Sequence, residues 1–411
     1  MRNKKPELLI PAKGPEELKT AVYYGADAVY LGGEALSLRA NARNFSLEEL
    51  KTAIAFAHEN KVRVYITANV FAHNEDLKEA ESYFREINDI MPDALLISDP
   101  GLFSLAHELC PDTELHISTQ ANNTNYRTVL FWAEQGAKRI VTARELSLRE
   151  IREIREHIPE TVEIESFVHG AMCISYSGRC LLSNYFTGRD ANHGECTHPC
   201  RWEYALSEMT RPGEYLPVEE NERGTYIFNS KDLCMIEHIP ELIEAGIDSF
   251  KVEGRMKAAL YVAVTARTYR NAIDDYFESP EKYEANKALY REEIGKCTTR
   301  DFCTGFFFGK PGPDAQIYGG STYNKEYVYL GQTEDTDPEG RARLFQKNKF
   351  SVGDRVEIMK RDLRNLEVTV RSIRSSERGE VESAPHPKEE LFVSFSEAPE
   401  KGDIIRKKPE N

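Results

Sequence analysis

Between Pro6 and about Val262 the chain alternates short apolar runs with longer amphipathic stretches. The runs are Leu8–Pro11, Ala28–Leu31, Val62–Ala68, Ala94–Ser98, Leu115–Thr119, Arg139–Ala143, Val162–Val168 and Asp248–Val252. Segments such as SLEELKTAIAFAHENK and SLREIREIREHI lie between them. Their apolar residues recur at spacings of three and four behind a capping Ser, Asp or Asn, which predicts helices. Strands separated by helices pair in parallel through right-handed crossovers. Eight of them predict an α/β fold, a (β/α)8 TIM-like barrel. A doubly wound open sheet is the alternative, but Pro11-Ala-Lys-Gly14 is not the glycine-rich phosphate turn such a sheet carries after its first strand.

The seventh connection breaks the rhythm. From 171 to 225 helical periodicity fades and cysteines, glycines and aromatics crowd together; an insertion of this length in a compact domain is usually functional. A charged helical arm, PEKYEANKALYREEIGK, follows the barrel. Beyond Tyr323 the texture becomes short alternating strands, the pattern of a small all-β barrel-like domain. The expected organisation is therefore a barrel over 1–280 that includes the cysteine-rich loop, a connecting arm over 281–320, and a β-module over 321–411.

Charge and composition narrow the partners. The 411 residues carry a net charge of −15, so any contact with a polyanion depends on a local basic patch. From Ser321 onward 17 Lys and Arg face 18 Asp and Glu, making the tail the less repulsive region. No stretch of 18 apolar residues and no signal-like leader is evident, and a cytoplasmic protein without membrane contact is expected. HExxH and GxSxG motifs are absent.

Of the eight cysteines, Cys173, Cys180, Cys196 and Cys200 fall within one irregular segment. Four thiolates there suit an iron–sulfur cluster or a zinc ion, with an unliganded set as the remaining reading. Only the CTHPC half has the tight spacing usual for zinc. Cys110 and Cys234 read as buried thiols, and Cys297 and Cys303 as incidental.

The segment Glu165-Ser-Phe-Val-His-Gly-Ala-Met-Cys173, with Ser177-Gly-Arg-Cys180-Leu-Leu-Ser183, GRDANHGECTHPCRWEY and FKVEGRMK, closely resembles the signature of the peptidase U-32 family. The likeness spans the whole chain, including the β-tail of the longer members. The family takes its name from collagenase-like proteolysis, while better-supported members insert oxygen into tRNA wobble uridine, a ribosomal RNA cytidine or a ubiquinone-precursor ring. The tail makes this chain look like the long partner of a pair of paralogues that hydroxylate tRNA uridine, which implies tRNA and a short U-32 family paralogue as partners. The resemblance further implies prephenate as co-substrate and a [4Fe-4S] cluster on Cys173, Cys180, Cys196 and Cys200. Proteolysis, an accessory role, and another RNA or aromatic ring as substrate are the alternatives.

Chemistry in such a barrel sits at the carboxyl ends of the strands. Prephenate carries two carboxylates, for which Arg144 and Arg255 are the first candidates and Lys251 the next, with Gln120, Asn122 and Asn69 as polar neighbours. His169 is either a proton donor or a core histidine; Glu165 is either an ion-pair partner or a base. Arg189, Arg201 and Trp202, with Tyr185 and Phe186, supply the basic and aromatic mixture that unpaired RNA bases prefer, or else the aromatics shield the cluster. Arg341, Arg343, Lys347, Lys349, Arg355, Lys360 and Arg361 form a candidate phosphate-contacting surface on the tail.

Overall fold

A computed structural model describes residues 4–37, 44–173, 176, 180–189, 191, 195–199, 230–311, 315, 317 and 324–409, together with the backbone of short strands within 206–226. It divides into two compact units: residues 1–22, 26–257 and 300–323, and residues 23–25, 258–299 and 324–411.

In the first unit all eight apolar runs are strands: β1 (Glu7–Pro11), β2 (Ala28–Gly32), β3 (Arg63–Ala68), β4 (Ala94–Ile97), β5 (Glu114–Ile117), β6 (Arg139–Val141), β7 (Glu163–Gly170) and β8 (Ser249–Val252). Neighbours pair in parallel in chain order, and β8 pairs with both β7 and β1, which closes the barrel. Helices α1 (Pro15–Tyr23), α2 (Leu47–Glu59), α3 (Asp76–Ile90), α4 (Pro100–Leu109), α5 (Tyr126–Glu134) and α6 (Leu148–His157) fill the connections. Capping residues start several of them where the sequence predicts. Ser46 and Ser147 form reciprocal capping boxes with Glu49 and Glu150, and Asp99 accepts from the backbone of Gly101 and Leu102.

Barrels of this kind are usually filled by branched apolar side chains. This one is ionic at its amino-terminal end, because five strands begin with a charged residue: Glu7, Arg63, Glu114, Arg139 and Glu163. Arg139 is buried and donates to Glu7 at 2.5 Å, to Glu163 at 2.6 Å and to Glu165 at 3.1 Å. Lys251 reaches the other oxygen of Glu165 at 2.7 Å. The Tyr65 hydroxyl and Ser249 add bonds to Glu7, and Arg63 holds Glu114 at 2.7 Å. Although burial opposes ionisation, the surrounding cations hold Glu163 at about 2. His116 and Arg63 bonds take Glu114 down to about 2 as well. Burial lowers the pKa of His116.

Above Val141, where β6 ends, a short strand Asp232–Cys234 pairs antiparallel with the last residues of β7, and Phe302–Cys303 adds beside it. β7 and β8 slip by one residue between Lys251 and Val252, a bulge of the kind that re-aims side chains at barrel rims.

The second unit contains helices Ala259–Glu278 and Pro280–Ile294 and the antiparallel sheet of the tail. The long strand Leu366–Ser375 pairs through its first half with Arg355–Met359 and through its second with Glu390–Phe395, with a bulge between. It curls the sheet around Leu330, Leu344, Ile358, Val370, Ile373 and Val393. Glu293 is its ionic centre. Arg267 donates to it, as do Arg406 at 3.0 Å and Lys296 at 2.6 Å. The two helices thus group with the tail because their buried charges are neutralised there. No described helix is long and apolar enough to cross a membrane. Cys110, Cys234 and Cys297 are buried thiols.

Removing one partner of a buried ionic network leaves uncompensated charge. Arg139→Met is expected to lower the unfolding free energy at pH 7 by about 3–5 kcal/mol. Glu163 and Glu114 ionise more readily folded than unfolded, so their contribution is complete above the unfolded carboxylate range and fades as pH falls towards 2. In the variant the orphaned carboxylates repel one another, and protonation relieves them. Urea unfolding at pH 7 and pH 4.5 should therefore show a smaller deficit at the lower pH; an equal deficit would refute the network.

Candidate active site at the barrel mouth

Arg255 and Arg144 are positioned by different means. Arg255 follows β8 and lies buried against the end of β2, donating to Ser37 at 2.7 Å, Thr67 at 3.0 Å and Asn44 at 2.8 Å. It fits because residue 32 is glycine: a Cβ there would stand 2.0 Å from the Arg255 Nη2. Arg144 follows β6. Its guanidinium lies 4.1 Å from the Phe167 ring centroid, a cation–π distance. It donates to the Ala171 carbonyl at 2.8 Å and to Glu253 at 3.3 Å. Its Nε is buried with no hydrogen-bond partner.

Around them the strand ends carry amides and hydroxyls. Asn69, after β3, donates to Ser118, after β5, at 3.3 Å; Asn122 donates to the Gln120 carbonyl at 2.8 Å. Five oxygens there are buried with no partner among the described residues: Asn69 Oδ1, Ser98 Oγ, Gln120 Oε1, Asn122 Oδ1 and Asn123 Oδ1. Buried polar atoms are rarely left unsatisfied without cause. These belong to the carboxyl ends of β3, β4 and β5, beside the spare donor after β6. The tier is chemically ready for a ligand that donates N–H or O–H groups to the amides and accepts from an arginine.

The other expected residues fall elsewhere. Glu165, fully buried, and Lys251 form one ion pair inside the barrel, and the cation also lies 4.7 Å from the Tyr30 ring. Of the two roles open to Glu165, its described contacts are those of an ion-pair partner; Lys251 and Arg139 lower its pKa against the pull of burial. His169 is 1% exposed, with its ring 5.5 Å from that of Phe302. Its carbonyl accepts from the Glu253 backbone. Gly170 then turns the chain out of β7 at φ +109°, where a Cβ would meet the Glu253 carbonyl at 2.5 Å.

That turn opens the cysteine-rich segment. Cys173, Cys180 and Cys196 stand at partly or fully exposed positions, with the Cys196 sulfur 4.0 Å from His198 Nδ1; Cys200, Arg201 and Trp202 lie outside the described residues. Helix α7 (Leu182–Thr187) sits between the two cysteine pairs. Its buried Ser183 hydroxyl accepts from the Thr197 backbone at 3.1 Å and lies 3.0 Å from the Thr197 hydroxyl. This ties the chain just after Cys180 to the residue beside Cys196. Among the described residues no three ligand side chains are gathered as a metal site. The donor set nevertheless suits an iron–sulfur cluster in kind: partly or fully exposed cysteines on two stretches of loop fastened together. Tyr185 is 80% exposed and Phe186 is exposed beside it, their ring centroids 5.0 Å apart. Rings placed this way face solvent, as a stacking platform does. Arg189 is exposed as well.

Ser98, Ser118, Ser37 and Thr67 also belong to the mouth and escape a reading that ranks charged residues first. Their signal is positional, since each lies at or just beyond a strand's carboxyl end or contacts a residue that does. Asp99, just after β4, is occupied as the cap of α4.

A closed α/β barrel with a polar mouth and a cysteine-bearing loop on its seventh strand defines the class of protein. The profile of peptidase family U32 matches residues 13–317, and that of the U32 C-terminal domain matches 325–406. The chain belongs to peptidase family U32. It is 42% identical over 385 residues to tRNA hydroxylation protein P1 of Bacillus subtilis, covering 93% of this chain and 90% of that one. It is 38% identical to tRNA hydroxylation protein P of Escherichia coli, covering 86% of each. It is also similar to tRNA hydroxylation protein P2 of B. subtilis, 36% identical over 74% of this chain and 98% of that one.

Gly32→Ala should force the Arg255 guanidinium aside and cost about 1–3 kcal/mol of stability. In an Arg255→Ala background the same change should cost less than half as much, measured as a double-mutant cycle in urea. Additive costs would show that Gly32 serves some other purpose.

Proposed function

We propose that this chain is a tRNA-modifying enzyme that hydroxylates wobble uridine at C5, with prephenate as co-substrate and a [4Fe-4S] cluster. The observation that carries the reading is the set of buried polar atoms at the strand ends that have no partner among the described residues. Similarity to tRNA hydroxylation proteins across nearly the whole chain supports it. Asn69, Gln120 and Asn122 offer acceptors to the ring N–H of a uracil or to a hydroxyl, and Arg144 offers its Nε to a carboxylate, with Arg255 fixed on Ser37, Thr67 and Asn44. Glu253 and the Phe167 ring hold Arg144 in plane. Replacing C5–H by C5–OH adds one oxygen atom and removes two electrons from the base; with water as the oxygen source, two protons and two electrons must leave to an external acceptor. Cys173, Cys180, Cys196 and Cys200 would hold the cluster, which when bound supplies electron-transfer capacity at the mouth. The target base leaves its stack to reach the tier, and the exposed Tyr185 and Phe186 rings, with Arg189, Arg201 and Trp202, offer contacts to the flanking nucleotides. The family's paired paralogues in one bacterium support a short U32 partner, in a cytoplasmic assembly.

Nucleoside mass analysis of tRNA from a strain deleted for this gene, and for any parallel hydroxylation route, tests the reading. Hydroxyuridine-derived nucleosides should disappear and return with the wild-type gene. An Asn69→Ala/Gln120→Ala gene should restore them at a rate reduced about tenfold or more, equivalent to about 1.4 kcal/mol of transition-state binding. Unchanged nucleosides in the deletion strain would contradict the proposal. Full restoration by the double variant would move the site away from the tier.

A further inference from the structure

The candidate phosphate surface on the tail separates into spent and unspent cations. Arg341 is held by Asp337, Glu339 and Glu380, Arg343 by Glu390, and Lys360 by Asp403 and Glu400. Arg361 lies over the Tyr23 ring. Lys349, together with Lys407 and Lys408, instead rims a cavity of about 280 Å³ whose wall is Val328, Leu330 and Phe350.

The cavity's one acidic side chain is already engaged. A single oxygen of Asp354 accepts from the Ser351 backbone at 2.9 Å and from Lys407 at 2.8 Å. Lys349 and Lys408 are exposed and make no ion pair among the described residues; Lys408 lies 5.9 Å from the Tyr327 ring. The loop that carries Lys349 is fixed in place. Lys347 N donates to the Leu330 carbonyl at 2.9 Å, and the Asn348 amide donates to the Tyr329 carbonyl at 2.7 Å. Two exposed ammonium groups thus stand beside an apolar wall, making no ion pair among the described residues. Ammonium groups of this kind bind phosphate oxygens as point charges, and an apolar wall suits the sugar or base next to one.

We propose that this cavity binds one phosphodiester unit of RNA, a contact on the C-terminal module additional to those at the barrel mouth. The inference rests on the RNA reading above for the identity of its ligand. Full-length Lys349→Gln/Lys408→Gln tests it, since both side chains are exposed and the variant should unfold at the same temperature. Affinity for unmodified tRNA is measured against salt concentration, with uridine monophosphate and inorganic phosphate as separate probes. The variant should bind tRNA about tenfold more weakly at low salt, and the slope of log affinity against log salt should fall by about 1 to 2. Tight tRNA binding with an unchanged slope would overturn the proposal and leave the RNA reading standing. An unchanged tRNA slope with lost monophosphate or phosphate binding would make the cavity a site for a free anion, also against the proposal. A wild-type chain that binds no tRNA would overturn the RNA reading and this inference with it.

Discussion

The barrel is organised around a guanidinium it cannot expose. Arg139, the first residue of β6, is surrounded by Glu7, Glu163 and Glu165 from β1 and β7. An ion at the centre of a barrel carries a desolvation cost of several kcal/mol, offset only when every partner is in place. Strands β1, β6, β7 and β8 are therefore bound through side chains as well as through the backbone ladder. A one-residue slip of any of them would turn its charged residue out of the network, so the ionic floor also specifies register.

That floor leaves the opposite end free for chemistry. Lys251 and Glu165 neutralise each other within the barrel, while Phe167, two residues along β7, supports Arg144 from beneath. Residues alternating along one strand thus serve the floor, the platform and the rim in turn. At the rim the chain keeps polar atoms without partners, at a cost to stability that functional sites commonly carry. Gly32 and Gly170 are where the backbone makes room, one for a guanidinium and the other for the turn into the cysteine segment.

Much of this is legible in the residues. All eight apolar runs are strands, since helix and strand periodicities are distinct over segments of this length. The arginines and amides expected at the mouth lie at strand ends, because parallel barrels put those ends on one face. The floor was harder to see. Charged residues at the first positions of five strands are a signal, yet they look like ordinary solvated strand starts until closure brings them together. Glu165 and Lys251 show the same limit, as composition alone does not distinguish an internal ion pair from a base and an anion-binding lysine. On the tail, exposed cations cannot be told from paired ones by sequence, and Arg341, Arg343 and Lys360 of those named there are ion-paired. The helix Ala259–Glu278 completes the barrel's alternation in sequence but groups with the tail, because Arg267 meets Glu293.

The central claim is that this chain places oxygen on a tRNA base at the mouth of its barrel. The most direct measurement is a reaction with purified components: chain isolated without air and loaded with iron and sulfide, tRNA lacking the modification, and prephenate, with a short U32 paralogue added in a parallel arm. Mass analysis of the digested tRNA should show wobble uridine heavier by one oxygen atom, dependent on prephenate. An unmodified uridine in both arms, from protein carrying its full complement of iron and sulfide, would contradict the account.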